Sequence, residues 1–204
     1  MKKSLTLIVL TFIFCHGFSQ SINYGIGAGL NYSSLGIDNF ESVNPKYKIG
    51  FQINAVFGYN ISDKIGFRTE PGLVNRGAIL SSPNLSDSKI DINYLTIPVL
   101  VRFSPVEKFS ILLGPELAYR LIAKSTTDDN TSDINSIYNS KIDFGINAGL
   151  LYRVFDKIDL GLRYNRGFIS AIKDLRTTDE YGNDKGKVRL FNKGFTFSIT
   201  YMIK

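Results

Sequence analysis

The side chains best suited to catalysis are scarce in this sequence. Its single cysteine, Cys15, and its single histidine, His16, lie within the first sixteen residues, and tryptophan is absent. Hydrolases that activate a serine rely on histidine as the general base, and common zinc sites need histidine or cysteine. A chain that loses its N-terminus in processing would keep neither residue. The sequence therefore predicts a protein that is not an enzyme and that binds no cofactor and no metal ion.

Two further patterns could suggest a ligand. Asp128, Asp129 and Asp133 could hold Ca²⁺, but this run lacks the glycine and the terminal glutamate of a calcium loop. The alternating glycines at 25–29 could suggest a phosphate-binding loop, but no helix follows them. We interpret the first pattern as a solvated acidic loop and the second as a row of small residues on one face of a strand.

The remaining candidates are charged residues that recur at alternate positions, opposite an apolar face. Unpaired charges are strongly unfavourable in an apolar environment, so these side chains need a polar interior in which to pair. We predict that they form a lumen ion network, and the alternative is an ion or proton path lined by the same residues. The predicted network consists of Arg68, Glu70, Glu116, Arg120, Asp143, Arg153, Asp159 and Arg163.

The elements that would position these charges are strands. From Ile22 to Ser33, apolar residues alternate with small or polar ones, and the pattern returns over 49–61 and 142–153. A period of two places the two sets on opposite faces of a strand. Further alternating segments lie at about 65–75, 92–103, 109–122, 158–168 and 190–203, which makes eight predicted strands.

Strand length and connection length decide the architecture. Roughly 12 residues at ~3.3 Å each, tilted by ~40°, rise about 30 Å, enough to cross an outer-membrane apolar band of ~25 Å. Short turns at about 62–64, 105–108 and 155–157 alternate with polar stretches at about 33–46, 76–90, 123–140 and 170–188. The predicted fold is all-β: an eight-stranded antiparallel up-and-down transmembrane β-barrel, with the charged residues filling its lumen.

The N-terminus has the pattern of an export signal. Two lysines precede an apolar run over 5–14, which is too short to span a bilayer. We place cleavage after Ser19 or Gln20, so that residues 1–19 are the signal peptide and 20–204 the barrel domain. Removing the two lysines lowers the formal net charge from +6 to +4. Because no basic cluster is interleaved with aromatic residues, we do not expect nucleic acid as a partner.

Three segments carry a resemblance to a known family. The stretches 94–103 (YLTIPVLVRF), 114–119 (GPELAY) and 143–150 (DFGINAGL) resemble successive signatures of the PorT-like outer-membrane β-barrel family of Bacteroidetes. Thr96 stands where that family often has glutamate, and the chain ends in YMIK without a terminal phenylalanine. The resemblance implies an outer-membrane location. Because the founding member of that family is tied to type IX secretion and gliding, the resemblance also leaves open a role in protein secretion.

The long loops are where we expect any binding to occur, because excess loop length on a rigid scaffold is where function usually lies. The fourth loop mixes cations, acids and an aromatic residue, and its predicted contact residues are Lys173, Arg176, Tyr181, Lys185 and Lys187. The expected partners are outer-membrane lipid and a protein or glycan, for instance a secretion or envelope complex, around a monomeric barrel. The alternative is a secreted soluble lipocalin-like barrel that turns its apolar face inward around a small apolar ligand.

Overall fold

The computed structural model describes residues 22–38, 43–82, 85–173, 175–178 and 184–204, so the predicted signal peptide lies outside the described residues. No helix in these ranges is long and apolar enough to cross a membrane. The strands are β1 (Ile22–Asp38), β2 (Asn44–Lys46), β3 (Lys48–Asn60), β4 (Ile65–Thr69), β5 (Gly72–Ser82), β6 (Leu85–Val106), β7 (Phe109–Thr127), β8 (Asn130–Asp133), β9 (Ile142–Phe155), β10 (Ile158–Gly167), β11 (Arg176–Thr178), β12 (Asp184–Lys187) and β13 (Arg189–Met202).

Antiparallel pairing closes the strands into a ring of eight positions. In order around the ring these are β1, β3, β4 together with β5, β6, β7, β9, β10 and β13. β13 then pairs with β1, from Gly25 opposite Met202 to Asp38 opposite Arg189. Closure removes free strand edges from the barrel wall. The predicted eight-stranded antiparallel barrel is confirmed.

One strand of the barrel wall is divided into β4 and β5, which end and begin at Thr69 and Gly72. The register with β3 nevertheless continues across the break. Pro71 causes the interruption because it has no amide hydrogen to donate to the ladder. Its carbonyl still accepts the Ala55 amide at 2.9 Å, so β4 and β5 together occupy one place in the ring.

The two faces of the wall have opposite chemistry, as the alternation predicts. Along β7 the side chains alternate between exposed and buried without a break over 111–120. The exposed set is apolar and large, including Phe51 at 70% and Ile53 at 63% exposure, whereas Asn54, the next residue of β3, is buried. An apolar exterior and a polar interior is the arrangement of a barrel surrounded by lipid. The lipocalin-like alternative requires the reverse and is not favoured.

The strands run further than expected at the long-loop end. The stretch 76–90, predicted as a loop, is mostly a hairpin extension in which β5 and β6 stay paired as far as Ser82 opposite Leu85. β7 likewise continues to Thr127 and folds back onto β8. The apolar alternation stops where the wall leaves the lipid, but backbone hydrogen bonding continues beyond it. The short turns at the other end lie where predicted, at 107–108 and 156–157 among others.

Candidate functional site

Five charged side chains form a continuous series of ion pairs in the half of the lumen nearer the short turns. Glu70 accepts hydrogen bonds from Arg163 Nη1 at 2.7 Å and from Arg68 Nε at 2.6 Å. Arg68 Nη1 lies 3.5 Å from Asp159 Oδ2. Arg153 closes the series with two hydrogen bonds to the Asp159 carboxylate, at 2.8 and 3.2 Å. All five residues belong to the predicted lumen network.

The barrel wall positions these five ion-paired residues because each side chain points into the lumen. Glu70 and Asp159 are only 5% and 3% exposed. Burial of a carboxylate is tolerated when charged donors satisfy its oxygens, and here each carboxylate lies between two arginines. The arrangement is suited to holding the barrel closed, because it joins β4, β9 and β10 through side chains as well as through the backbone.

A second polar network lies in the half of the lumen nearer the long loops. Glu116 is its centre and accepts from Arg76 at 2.7 Å, and from Asn147 and Asn165 at 3.1 Å each. The Arg76 guanidinium also lies 5.9 Å from the centre of the Tyr94 ring, within cation–π range. One buried carboxylate is therefore satisfied here by one cation and two neutral amides.

Arg120 and Asp143, also predicted for the ion network, have neutral partners in the described chain. Arg120 donates to the Ser140 carbonyl at 3.1 Å and to the Asn135 side chain. Asp143 accepts from Asn192 Nδ2 at 2.8 Å. Ser140 and Asn135 belong to the segment between β8 and β9, which folds back over the barrel mouth. A prediction made from the barrel strands alone does not include these partners, because they lie in a loop.

Sequence reasoning missed Arg76 as a member of the lumen set, because the residue was assigned to a loop. The signal was present, since Val74, Arg76 and Ala78 continue the alternation of β5 and all three are buried. Arg102 was also missed. It lies in the predicted strand 92–103, but its neighbours on the sequence are apolar and it was not considered as a lumen charge.

The loop end of the lumen is closed by apolar side chains, which the sequence analysis did not anticipate. Loop residues pack here against residues of β6 and β13, and burial raises the pKa of the Tyr138 hydroxyl. We call this cluster the apolar cap. It consists of Ile134, Tyr138, Ala171, Ile172 and Val188 from the loops, with Ile90, Ile92, Tyr94 and Leu190 from the strands.

Backbone hydrogen bonds hold the loops of the apolar cap in place. The Ala171 amide donates to the Leu190 carbonyl at 2.8 Å, and the Ser140 amide donates to the Ala171 carbonyl at 3.2 Å. The Lys173 amide donates to Asn139 Oδ1 at 2.8 Å. These bonds connect two loops to each other and to the barrel wall, so the cap is a fixed part of the fold.

The predicted loop contact residues are only partly described. Tyr181 lies outside the described residues, and so does the side chain of Lys185 within β12. Lys173, Arg176 and Lys187 are exposed. Arg176 pairs with Asp184 across the β11–β12 hairpin, and this hydrogen bond holds the pKa of the Asp184 carboxyl below its usual value.

A groove of about 390 Å³ runs along the surface between the fourth loop and β13. Its walls combine three cationic and three apolar side chains: Lys173, Lys187 and Arg189, with Ile169, Ile172 and Val188. This groove, which we call the loop groove, lies directly above the apolar cap, because Ile172 and Val188 belong to both.

The acidic run in the third loop forms a turn. Asp128 and Asp129 adopt positive φ angles of 48° and 64° between β7 and β8. Asp133 accepts hydrogen bonds from the Asn135 amide at 2.7 Å and from its side chain at 2.9 Å. Within the described ranges, no three histidine, cysteine, aspartate or glutamate side chains are grouped as metal ligands would be.

Comparison with known proteins gives the same architecture. The family described as "Outer membrane protein beta-barrel domain" matches residues 18–173. The crystal structure of Neisserial surface protein A (NspA) is similar with a TM-score of 0.56 and 14% identity, over 89% of this chain and 98% of that one. Ail, the attachment invasion locus protein of Yersinia pestis, in complex with the heparin analogue sucrose octasulfate, has a TM-score of 0.51 and 15% identity, over 90% and 99%. No curated protein matches the sequence. At such identities the structural likeness shows the fold alone.

Proposed function

We propose that this chain, which belongs to the outer membrane protein beta-barrel domain family, is a closed, non-enzymatic barrel whose loops bind a protein partner outside the cell. Family and fold place the chain in the outer membrane, where long loops face outward and short turns face the periplasm. The observation that carries the proposal is the apolar cap, which fills the loop end of the lumen.

The apolar cap argues against a channel. Ions need a continuous polar path, and a closely packed apolar barrier excludes water from it. Below the cap, Glu116 and its three hydrogen-bonded partners, Arg76, Asn147 and Asn165, occupy the lumen. A non-enzymatic role is supported by the sequence, because histidine and cysteine are absent after His16. We therefore assign the binding function of the chain to its loops.

The loop groove is a candidate binding surface at that end of the barrel. Lys173, Lys187 and Arg189 supply positive charge beside the apolar side chains of Ile169 and Val188. A protein partner with acidic and apolar residues would complement both, since charges guide association while apolar contacts contribute to affinity. The hydrogen bonds that fix the loops reduce the ordering cost of binding.

The finer family assignment is part of the same proposal. We assign the chain to the PorT-like barrels of Bacteroidetes on the resemblance of 94–103, and we place its partner in an envelope or secretion complex. A monomeric barrel is expected, because closure of the ring between β1 and β13 leaves no strand edge in the wall for pairing.

The direct test is deletion of residues 174–186 followed by gentle extraction from outer membranes. Lys173 and Lys187 line the same groove, so the new connection spans a short distance and the barrel should still fold. We expect the deleted protein to keep its faster migration in unboiled gels. It should lose the partner that co-purifies with the intact protein, because the direct connection of Lys173 to Lys187 changes the loop groove that both residues line. A partner retained by the deletion variant would contradict the proposal.

Charge reversal gives a finer test with a matched control. Lys173→Glu changes the loop groove, whereas Lys124→Glu makes the same change at an exposed position of β7 outside it. We expect partner recovery to fall for the first variant and to stay unchanged for the second. Equal recovery from both would exclude the groove, and recovery of an anionic glycan instead of a protein would replace the proposed partner.

A further inference from the structure

A cavity of about 740 Å³ opens at the end of the barrel opposite the apolar cap. Its mouth is formed by the short turns, so it faces the periplasm. Its inner wall carries Arg68 from β4, Arg102 from β6, Arg153 from β9 and Asp159 from β10. We call this cavity the periplasmic vestibule. Because the cap closes the other end of the lumen, a ligand would enter and leave it from the periplasm alone.

The short-turn half of the lumen has more positive than negative charge. It holds four arginines and two carboxylates: Arg68, Arg102, Arg153 and Arg163, with Glu70 and Asp159. Each carboxylate balances one cation, so two positive charges remain. The mouth does not balance them, because it carries four lysines and only three acidic side chains: Lys64, Lys108, Lys157 and Lys204 with Asp63, Glu107 and Asp156.

Arg102 is the cation that this imbalance leaves without a carboxylate. Its Nη2 donates to Asn60 Oδ1 at 2.7 Å, a neutral acceptor. Its Nε is buried and has no hydrogen-bond partner within the described part of the chain. The charges of Arg68 and Arg153 act on it together with that of Asp159. A buried donor without an acceptor is unfavourable, and it indicates a place where a ligand can supply the missing acceptor.

We propose that the periplasmic vestibule binds an oxyanion of the phosphate class at Arg102, with Arg68 and Arg153 beside it. A phosphate group carries up to two negative charges, which matches the two unbalanced cations. The planar arginine fork donates to phosphate oxygens in pairs. The vestibule volume lies within the range of small-ligand sites, about 300–1,000 Å³. Inorganic phosphate and the phosphate of a lipid headgroup share this chemistry, so both are candidate sources.

The test uses the full-length barrel, folded in an uncharged maltoside detergent, and titration calorimetry with inorganic phosphate. We expect saturable binding that sodium chloride at equal ionic strength does not reproduce. Arg102→Gln should weaken phosphate binding at least about tenfold, because charged hydrogen bonds are lost. Lys124→Gln, which removes a cation at an exposed position of β7 outside the vestibule, should leave binding as it is. Gel migration before boiling checks that each variant is folded.

Short-chain phosphatidic acid, below its micelle concentration, separates the two sources. Competition between the two probes at Arg102 shows a general phosphate site, whereas binding of one probe alone identifies its source. Arg102→Lys keeps the charge but not the fork and should bind with intermediate affinity. Wild-type protein that binds neither probe, or Arg102→Gln protein that binds as tightly as wild type, would overturn the proposal. So would an equal response to sodium chloride.

Discussion

The two halves of the lumen accommodate buried charged side chains in different ways. The short-turn half pairs charge with charge and keeps an excess of positive charge beside an open cavity. The loop half pairs Lys48 with Asp91 and Arg76 with Glu116, satisfies Arg120 and Asp143 with neutral amides and carbonyls, and is closed by apolar side chains.

This difference separates structural closure from ligand access. In the loop half, Arg76 Nε and Asn165 Oδ1 also lack a hydrogen-bond partner within the described chain, but the apolar cap closes that end of the lumen to ligands. Where charge is unbalanced beside an open cavity, Arg102 has a donor without a partner in the described chain. A barrel of eight strands is narrow enough for side chains to fill, so an unfilled end of this one is a specific feature of the sequence.

Removing the central carboxylate of each half gives the largest expected effect. Glu70→Gln leaves Arg68 and Arg163 without their shared acceptor, in a half that already has excess positive charge. Breaking such a buried pair costs about 3–5 kcal/mol. Glu116 has one arginine partner where Glu70 has two, so we expect Glu116→Gln to cost less, about 1–3 kcal/mol. Urea unfolding followed by far-ultraviolet circular dichroism measures both, and equal costs would break the comparison.

Both halves depend on the strand faces having been assigned correctly. Ala55→Arg places a charge among the apolar side chains of the lipid face, at a cost of about 2–4 kcal/mol near the midplane. Asn54→Arg places it in the lumen, where Asn54 is buried among polar groups, and should be tolerated better. Yield of heat-modifiable protein in the outer membrane compares the two. A lower yield for Asn54→Arg than for Ala55→Arg would show that the lipid and lumen faces were assigned the wrong way round.

A charge in the apolar cap should have a local effect. Ile172→Asp places a carboxylate at a position only 6% exposed within the apolar cap, and the loops should open at a cost of about 1–3 kcal/mol. Ile169→Asp, at a position 38% exposed in the same loop, is the matched control. We expect rapid protease cleavage near 172 for the first variant only, with the barrel itself intact. Unfolding of the whole barrel would show that the cap and the wall are one unit.

The smallest effect on stability is expected at Arg102. Arg102→Gln removes repulsion from Arg68 and Arg153 and costs one hydrogen bond to Asn60. The free energy of unfolding should therefore change by less than about 1 kcal/mol. Arg68→Gln, which removes contacts with Glu70 and with Asp159, should destabilise strongly in the same urea titration. Similar losses for the two would mean that Arg102 is structural.

The wall of the barrel was predictable from the sequence because its physical cause is periodic. Alternation around Asn54 and Ala55 assigns each residue to a face, and the predicted strands coincide closely with the ring. Five of the eight predicted network residues form one continuous series of ion pairs. Those five are held by strand positions, which the period of two specifies.

The apolar cap was not predictable in the same way, because no period connects its members. Ile134 and Ile172 are single apolar residues in polar segments, and their contact depends on how two loops fold over the mouth. Arg120 and Asp143 were predicted as members of the lumen ion network, and their hydrogen-bond partners, a loop carbonyl and side-chain amides, could not be predicted for the same reason. The excess positive charge around Arg102 could not be predicted either, because it becomes apparent only when the charged side chains that share this half of the lumen are counted in the structure.

Conductance of the purified wild-type protein in planar lipid bilayers tests closure of the lumen most directly. The apolar cap and the Glu116 network fill the loop half, so no steady single-channel current should be seen with either polarity of the applied voltage. Deletion of 174–186 leaves Ile134, Tyr138, Ile172 and Val188 in the chain, and it should also remain silent. A steady current from the wild-type barrel, unchanged by that deletion, would contradict this account and assign the function to the pore.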